Sequence, residues 1–225
     1  MKILYVIPAR GGSKGIPHKN IMNLGGKPLI CYSIDVARSL TTDENICVST
    51  DDDEIIRVVE DYGLAVPFKR PDALATDHAT TNDVLVHAVD FYENQGRNYD
   101  LLVLLQPTSP FRTSKQIKQA LELYREDLEM VVSVKQSHCA SVLCHENETG
   151  FLELTINKNA DRRQECENYF EYNGAIYVID IKSLKSTGLG RMTKKLKFVM
   201  DEESSLDIDT PFDWEMAECL MNKRK

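Results

Sequence analysis

A glycine-rich stretch near the amino terminus carries several fixed positive charges and no acidic residue. It reads PARGGSKGIPHKN at residues 8–20 and contains Arg10, Lys14 and Lys19. Glycines let backbone N–H groups approach an anion closely, and lysine and arginine neutralise its charge. The stretch follows a short apolar run, ILYVI at residues 3–7, which predicts a buried strand. A loop of this composition after a first strand is typical of a polyphosphate site.

Two common phosphate-binding motifs do not fit this region. A Walker A motif needs a GK pair followed by Ser or Thr, whereas Gly26 and Lys27 are followed by Pro28. The glycines of the loop also do not supply the dinucleotide fingerprint G-x-G-x-x-G. The simplest alternative to phosphate binding is a flexible surface loop with solvated charges.

Two aspartates near the carboxyl terminus have a spacing that suits a divalent metal ion. In SLDIDT, residues 205–210, Asp207 and Asp209 would share one face of an extended chain while the intervening apolar side chains point inward. Their Cα atoms would lie about 7 Å apart, close enough for both carboxylates to reach one cation. Magnesium commonly takes one or two carboxylates plus substrate phosphates, so the pair predicts a Mg²⁺ site facing the cationic loop. The alternative is that Asp209 only helps to cap the last helix and Asp207 is solvated.

Two further groups of metal-binding residue types have simpler structural explanations. The acidic run DDDE at residues 51–54 precedes a helical pattern and predicts an N-cap with an acidic first turn. The cysteines are scattered without a CxxC pair, and the His/Cys neighbours at residues 138–139 and 144–145 match no usual zinc spacing. We therefore predict reduced, semi-buried thiols and no zinc site.

Short apolar runs alternate along the chain with segments of helical periodicity. Strands are predicted at residues 3–7, 46–50, 65–68, 101–105, 130–134, 175–179 and 197–200. Helices are predicted to begin at Pro28, at the acidic run 51–54, at Thr80, before residue 117 and at Thr210. The alternation fails between about residues 136 and 171, where residues 141–144 and 151–156 indicate a hairpin followed by an irregular loop.

This alternation predicts an α/β fold, three-layered and Rossmann-like, with a mainly parallel sheet. Ligands of such folds bind outside the carboxyl ends of the strands. Those ends carry the cationic loop, Arg70 and the QPTSP stretch that begins at Gln106. One domain is expected over residues 1–225, with residues 136–171 as an excursion from the main sheet.

The composition argues against several functional classes. A net charge of −8 supplies no global positive field, so no nucleic-acid partner is expected and an anionic ligand needs a local cationic cluster. No apolar run approaches the roughly 20 residues that span a bilayer, so no membrane partner is expected. No signal peptide is expected, because the apolar run at residues 3–7 is too short for one, and the scattered cysteines favour a cytoplasmic location.

Several stretches resemble, in family order, the acylneuraminate cytidylyltransferases, also called CMP-sialic acid synthetases. They are IPARGGSKGIPHKN at residues 7–20 and the segments 49–51, 70–71, 74–77, 105–113, 173–177 and 205–210. The resemblance covers nearly the whole chain. It implies a nucleotidyltransferase that moves CMP from CTP to the anomeric hydroxyl of a nine-carbon 2-keto sugar acid and releases pyrophosphate. It also implies a homodimer held partly by the excursion.

The resemblance assigns roles to individual residues by their position in the motifs. The nucleotide would contact Arg10, Gly11, Ser13, Lys14, Lys19, Asn20, Arg70 and Thr81. The sugar acid would contact Gln106, Tyr177 and Arg163, the last reaching across from the partner subunit. Asp207 and Asp209 match the family's metal-binding carboxylates, and either could accept the proton of the attacking hydroxyl. Lys14 and Lys19 would offset the charge that builds on the phosphates.

The sugar-binding region departs from the family pattern more than the nucleotide-binding region does. Glu171 stands where sialic acid enzymes tend to carry Arg, and residues 138–143 lack the His-Pro and Lys of typical members. The acceptor therefore stays open among N-acetylneuraminic acid, KDN, legionaminic acid and pseudaminic acid, and Arg162 competes with Arg163 for its carboxylate. Two competing hypotheses are a nucleotidyltransferase acting on KDO or a sugar phosphate, and a nucleotide-binding homologue without turnover.

Overall fold

Strands and helices alternate through the chain as predicted. The computed structural model describes residues 1–12, 15–76, 78–137, 143–154 and 169–224. The strands are β1 (Ile3–Pro8), β2 (Asn23–Leu24), β3 (Lys27–Pro28), β4 (Ile46–Ser49), β5 (Leu101–Leu104), β6 (Met130–Gln136), β7 (Cys144–Glu146), β8 (Leu152–Leu154), β9 (Phe170–Asp180) and β10 (Lys195–Val199). The helices are α1 (Leu29–Arg38), α2 (Asp53–Asp61), α3 (Thr81–Glu93), α4 (Ser114–Glu122), α5 (Ile181–Ser186) and α6 (Pro211–Lys223). Short 3₁₀ turns lie at Lys19–Ile21, Asp43–Asn45, Asp72–Leu74 and Leu189–Arg191.

The central sheet has the strand order β10-β6-β9-β5-β1-β4. Neighbouring strands are parallel except at β9, which runs antiparallel to both β5 and β6. The carboxyl ends of the parallel strands therefore meet at one edge of the sheet, next to the amino end of β9. The predicted mainly parallel sheet is confirmed.

Helices cover the sheet on both faces. Helices α1, α2 and α4 pack on one face of the sheet. There, Ile34 of α1 and Ile7 of β1 belong to the same buried apolar cluster. Helices α3 and α5 pack on the other face through residues such as Leu85, against Leu4 of β1. Because the strands are buried on both faces, their sequences are continuously apolar rather than alternating. The structure confirms the three-layer α/β fold.

The helix starts follow local side-chain chemistry. The Asp52 carboxylate accepts hydrogen bonds from two N–H groups in the first turn of α2, as the acidic run predicts. Thr80 with Asp83 forms a reciprocal capping box at α3, and Thr210 with Asp213 forms another at α6. These polar contacts satisfy backbone donors that would otherwise lack partners at a helix terminus.

Two predictions for segments that contain a proline are wrong: the strand at residues 65–68 and the start of the first helix at Pro28. Residues 65–68 do not form a strand, and only an isolated bridge between Thr50 and Lys69 continues the pairing of β4. Pro67 has no N–H to donate to a ladder. Pro28 is not the first helical residue: it pairs within β3 and precedes α1 as its N-cap.

The excursion contains the predicted hairpin. Strands β7 and β8 pair antiparallel, with Cys144 opposite Leu154. Phe151 is 71% exposed and Leu152 is 76% exposed. Residues 138–142 and 155–168 lie outside the described residues, and the role of the excursion in a dimer stays a prediction.

Two expectations from the composition concern membrane spans and disulfides. Within the described residues, no helix is both long and apolar enough to cross a membrane. Cys31 and Cys47 are buried, Cys144 and Cys219 are exposed, and none of these four forms a disulfide.

Candidate active site

A cavity of about 530 Å³ opens at the carboxyl edge of the sheet, where the sequence predicts ligand binding. It brings together three segments that are distant in the chain: the cationic loop, the turn after β5 and the aspartate segment before α6. The lining residues are Pro8, Arg10, Gly15, Lys19, Asn20, Gln106, Pro107, Thr108, Asp207 and Asp209.

Lys19 connects the cationic loop directly to the aspartate segment. Its side chain is largely buried, and Nζ donates to the Ile208 carbonyl oxygen and, at 2.9 Å, to Asp209 Oδ1. The preceding residue, His18, has φ of 53°, in the left-handed region that costs free energy for a residue with a Cβ. The fold thus holds the ammonium group of Lys19 in a defined position.

Two close contacts shape the rest of the loop. Asn20 Nδ2 donates to the Arg10 carbonyl oxygen at 3.2 Å, which joins the two ends of the loop. Gly15 lies so close to the backbone of Asp209 that a Cβ would collide with the Asp209 carbonyl oxygen. A glycine at this position therefore lets the loop approach the aspartate segment.

The aspartate segment has the predicted alternation of faces. Ile208 is fully buried, and its N–H donates to the Thr108 carbonyl oxygen at 2.9 Å. Asp207 and Asp209, on either side, both line the cavity. Asp207 Oδ1 is buried and has no hydrogen-bond partner among the described residues. An orphaned buried carboxylate oxygen needs a cation or a proton donor from a ligand.

The environment of Asp207 raises the pKa of its carboxyl. Burial raises the pKa of the carboxyl above its usual value. The negative charge of Asp209 also raises this pKa. A hydrogen bond from the Thr108 hydroxyl and the positive charge of Lys19 both lower it. Burial and like charge both disfavour an isolated carboxylate, so a bound cation would be stabilised here.

An apolar cluster beneath the cavity holds these segments together. Ile16 of the loop, Phe111 after the turn, Ile208 and Trp214 of α6 pack in one cluster. Each contributes a side chain that is at most 8% exposed. Burial of this shared apolar surface therefore fixes the positions of polar groups that come from separate parts of the chain.

Gly174 of β9 leaves room for the side chains of Gln106 and Asp207. It has φ of +72°, and a Cβ there would lie 2.6 Å from Gln106 Oε1 and 3.2 Å from Asp207 Oδ2. Both the backbone conformation and the space at this position require glycine.

Two of the predicted site residues, Arg70 and Gly11, do not line this cavity. Arg70 is buried, with Nη2 at 2.5 Å from Asp51 Oδ1, so its charge is already paired. Gly11 packs against Asp52, where a Cβ would collide with the carboxylate. Ser13, Lys14, Arg162 and Arg163 lie outside the described residues.

Two other cavities contain Thr81 and Tyr177, which are predicted to contact substrate, and Glu171, which departs from the family pattern. Thr81 and Tyr177 line a cavity of about 670 Å³, and neither lines the cavity of Lys19. Asp207 also lines a cavity of about 400 Å³ that contains Glu171, whose carboxylate lies 3.5 Å from Lys135 Nζ. Burial raises the pKa of Tyr177, and the negative charge of Asp207 adds to the rise.

Sequence reasoning missed a buried hydrogen-bond network next to the site. Asn173 Nδ2 donates to Ser205 Oγ at 2.9 Å, and Asn173 Oδ1 accepts from Ser133 Oγ at 2.6 Å. The network ties β6 and β9 to the start of the aspartate segment. An asparagine before a positive-φ glycine, as in the NGA of residues 173–175, was the available signal.

The donor set fits a magnesium ion better than a metal held by protein ligands alone. Among the described residues, no group of three or more His, Cys, Asp or Glu side chains is arranged to hold a metal ion. Asp207 and Asp209 supply two carboxylates in one cavity, and Asp207 Oδ1 is unpartnered within the described part of the chain. This matches the preference of Mg²⁺ for one or two carboxylates together with substrate phosphates.

The family follows from comparison with known proteins. A family model described as "Cytidylyltransferase" matches residues 4–220. The chain belongs to the cytidylyltransferase family. The CMP-N,N'-diacetyllegionaminic acid synthase of Legionella pneumophila is 38% identical to this cytidylyltransferase, over 98% of this chain and 97% of that protein.

A second relative is longer than this chain. The N-acylneuraminate cytidylyltransferase of Escherichia coli O18:K1:H7 is 37% identical over 99% of this chain but only 53% of its own length. The chain therefore spans about half of that relative. A solved structure of a CMP:2-keto-3-deoxy-manno-octonic acid synthetase with CTP superposes with a TM-score of 0.69 at 21% identity, with both chains fully covered. That likeness shows a shared fold.

Proposed function

We propose that this cytidylyltransferase transfers CMP from CTP to the anomeric hydroxyl of a nine-carbon 2-keto sugar acid and releases pyrophosphate. The observation that carries the proposal is the cavity in which Asp207 and Asp209 meet Lys19 and Arg10 at the carboxyl ends of the strands. Relatives named for legionaminic and neuraminic acids, at 38% and 37% identity, support the acceptor class.

The cationic loop would bind the triphosphate of CTP. Lys19 and Arg10 line the cavity, and Ser13 and Lys14 belong to the same loop. Nucleotidyl transfer depends mainly on positioning and on neutralising the charge that develops on the phosphates. In a chain of net charge −8, this local group of cations is what allows an anionic substrate to bind.

Asp207 and Asp209 would hold the magnesium ion. When bound there, Mg²⁺ would neutralise negative charge on the reacting phosphate and the leaving pyrophosphate. Lys19 already compensates the charge of Asp209 through their 2.9 Å contact. This contact holds the Asp209 carboxylate in the cavity that Asp207 also lines.

Asp207 is the residue we assign to accept the proton of the attacking hydroxyl. Its Oδ1 has no partner among the described residues, whereas Asp209 Oδ1 already accepts a hydrogen bond from Lys19. A carboxylate with an unpartnered oxygen can accept this proton once the hydroxyl lies within hydrogen-bond reach.

The acceptor would occupy the space beside Asp207. Gln106 lines the main cavity, and Tyr177 lines another cavity together with Thr81. The carboxylate of the sugar acid needs a cation, for which Arg163 is our choice because a guanidinium presents a planar fork of donors.

We also propose that the enzyme is a cytoplasmic homodimer, in which Arg163 acts across the interface. The exposed Phe151 and Leu152 of the hairpin support a partner-facing surface. The unpaired cysteines at the described positions fit a reducing compartment.

A pyrophosphate-release assay tests the proposal against its competitors. The protein is incubated with Mg²⁺ and each of the four nucleoside triphosphates, and with N-acetylneuraminic, KDN, legionaminic, pseudaminic and KDO acids and a set of sugar phosphates. Release with CTP and a nine-carbon acid is the expected result. Release with KDO or a sugar phosphate instead would assign a different acceptor class, and no release with any pair would indicate a homologue without turnover.

A further inference from the structure

Arg112 is a buried arginine behind the active-site cavity. It is 2% exposed. Its Nη1 donates to the carbonyl oxygens of Gln106 and Ser109, each at 2.7 Å, and its Nη2 donates to the hydroxyl of Ser33 on α1. All three acceptors are uncharged. Burying a cation against neutral acceptors costs free energy, so its presence calls for an explanation beyond stability.

The negative charge of an active-site residue influences the pKa of Arg112. Burial lowers the pKa of Arg112 to about 9, and the negative charge of Asp207 is the influence that opposes this fall. Arg112 therefore remains charged at neutral pH.

The hydrogen bonds of Arg112 shape the turn that forms one wall of the cavity. They turn the Gln106 and Ser109 carbonyls inward, and the Ser109 N–H also donates to the Gln106 oxygen at 3.3 Å. Gln106 and Thr108 of the same turn line the cavity. The Thr108 carbonyl oxygen accepts from the N–H of Ile208, the residue between the two aspartates. Arg112 is thus connected to the aspartate segment through the turn.

We propose that Arg112 is a positioning residue of the active site. Its guanidinium holds the turn at residues 106–109 in the shape that presents Gln106 to the cavity and, through Thr108, fixes the aspartate segment. The kinetic part of this inference rests on the proposed function, whereas its structural part does not.

The Arg112→Lys substitution isolates the contribution of the guanidinium. Lysine keeps the positive charge and most of the apolar stem but cannot bridge two carbonyls and a hydroxyl with one planar fork. If Arg112→Lys does not fold, Ser33→Ala removes only the α1 end of the same set of bonds and takes its place.

Arg38→Lys is the matched control. Arg38 lies on the same helix as Ser33. Away from the cavity, it donates to the carbonyl oxygens of Tyr62 and Gly63, at 3.3 Å and 2.9 Å, and to both carboxylate oxygens of Asp43, at 2.8 Å each. Arg38→Lys therefore also removes a guanidinium fork that bridges several acceptors, in a part of the fold that does not form the active site.

Two measurements decide the inference. Hydrogen exchange of the Ser109 and Ile208 amides should accelerate at least about tenfold in Arg112→Lys, with β1 amides unchanged, and neither site should change in Arg38→Lys. At a temperature where both variants are fully folded, kcat of Arg112→Lys should fall at least about tenfold with the KM for CTP within about threefold. For Ser33→Ala the same changes are expected at about a third of that size.

The inference is overturned if the two amides exchange as in the wild type, or if Arg38→Lys loses activity equally. Unaltered kcat in a folded Arg112→Lys overturns it as well. If the wild-type protein transfers CMP to no acceptor, the proposed function fails separately, and the exchange measurement alone decides the role of Arg112.

Discussion

Replacing Gly174 by alanine should damage the active site far more than it damages the fold. Gly174 has φ of +72°, and the added Cβ would lie 2.6 Å from Gln106 Oε1, 3.2 Å from Asp207 Oδ2 and 3.6 Å from Ser109 Oγ. The first distance is impossible for a real contact, so the Gln106 side chain must move. The Asp207 carboxylate must yield by a few tenths of an ångström.

The losses of stability and of turnover have separate causes. The left-handed conformation costs a residue with a Cβ about 1–2 kcal/mol. In a domain of this size each kcal/mol lowers Tm by about 2–4 °C, so we expect a decrease of about 2–8 °C. A displacement of about 1 Å at reacting groups can cost about a hundredfold in rate, so kcat should fall by about 10- to 100-fold.

Gly96→Ala is the matched control for this experiment. Gly96 follows α3 with φ of +76°, and nothing lies within 4 Å of the position of its added Cβ. It should show the same decrease in Tm without loss of turnover. Tm is measured by calorimetry, and kcat by pyrophosphate release well below the lower Tm.

The reasoning is refuted if the two alanine variants have the same turnover. It is also refuted if Gly174→Ala loses stability but keeps the kcat of the wild type, because the Gln106 and Asp207 side chains would then tolerate displacement. A kcat that recovers fully on cooling would likewise assign the loss to unfolding rather than to the site.

Three further predictions concern the metal ion, the acceptor and the dimer. Asp207→Asn and Asp209→Asn should each lower Mg²⁺-dependent turnover at least about a hundredfold, and near wild-type rates in both would contradict the metal assignment. Arg163→Lys should raise the KM for the sugar acid at least about tenfold and leave the KM for CTP within about threefold; a weaker affinity for CTP instead would place Arg163 at the nucleotide. In sedimentation, Phe151→Asp should dissociate the dimer whereas Phe212→Asp, at a side chain 68% exposed on α6, should not. A wild-type protein that sediments only as a 25.6 kDa species would rule out the dimer.

The amino-acid sequence by itself determined the local elements and the class of fold. Apolar runs such as residues 101–105 predict strands buried on both faces, and the capping boxes at Thr80 and Thr210 predict where helices begin. These signals act between residues a few positions apart, so they can be identified without the fold. The chemistry of the cationic loop and the aspartate pair was identifiable for the same reason.

Only the tertiary structure decided which of these groups meet and what holds them. Lys19 contacts Asp209 across a separation of 190 residues, and Arg112 binds Ser33 across 79. The tertiary structure also placed Thr81 and Tyr177 in a cavity other than the one that Lys19 lines. Such contacts depend on how whole elements pack, because the loop, the turn and the aspartate segment are brought together by a shared apolar cluster and not by any local pattern. The local sequence of each segment is compatible with many relative placements, and burial of that common apolar surface selects one of them.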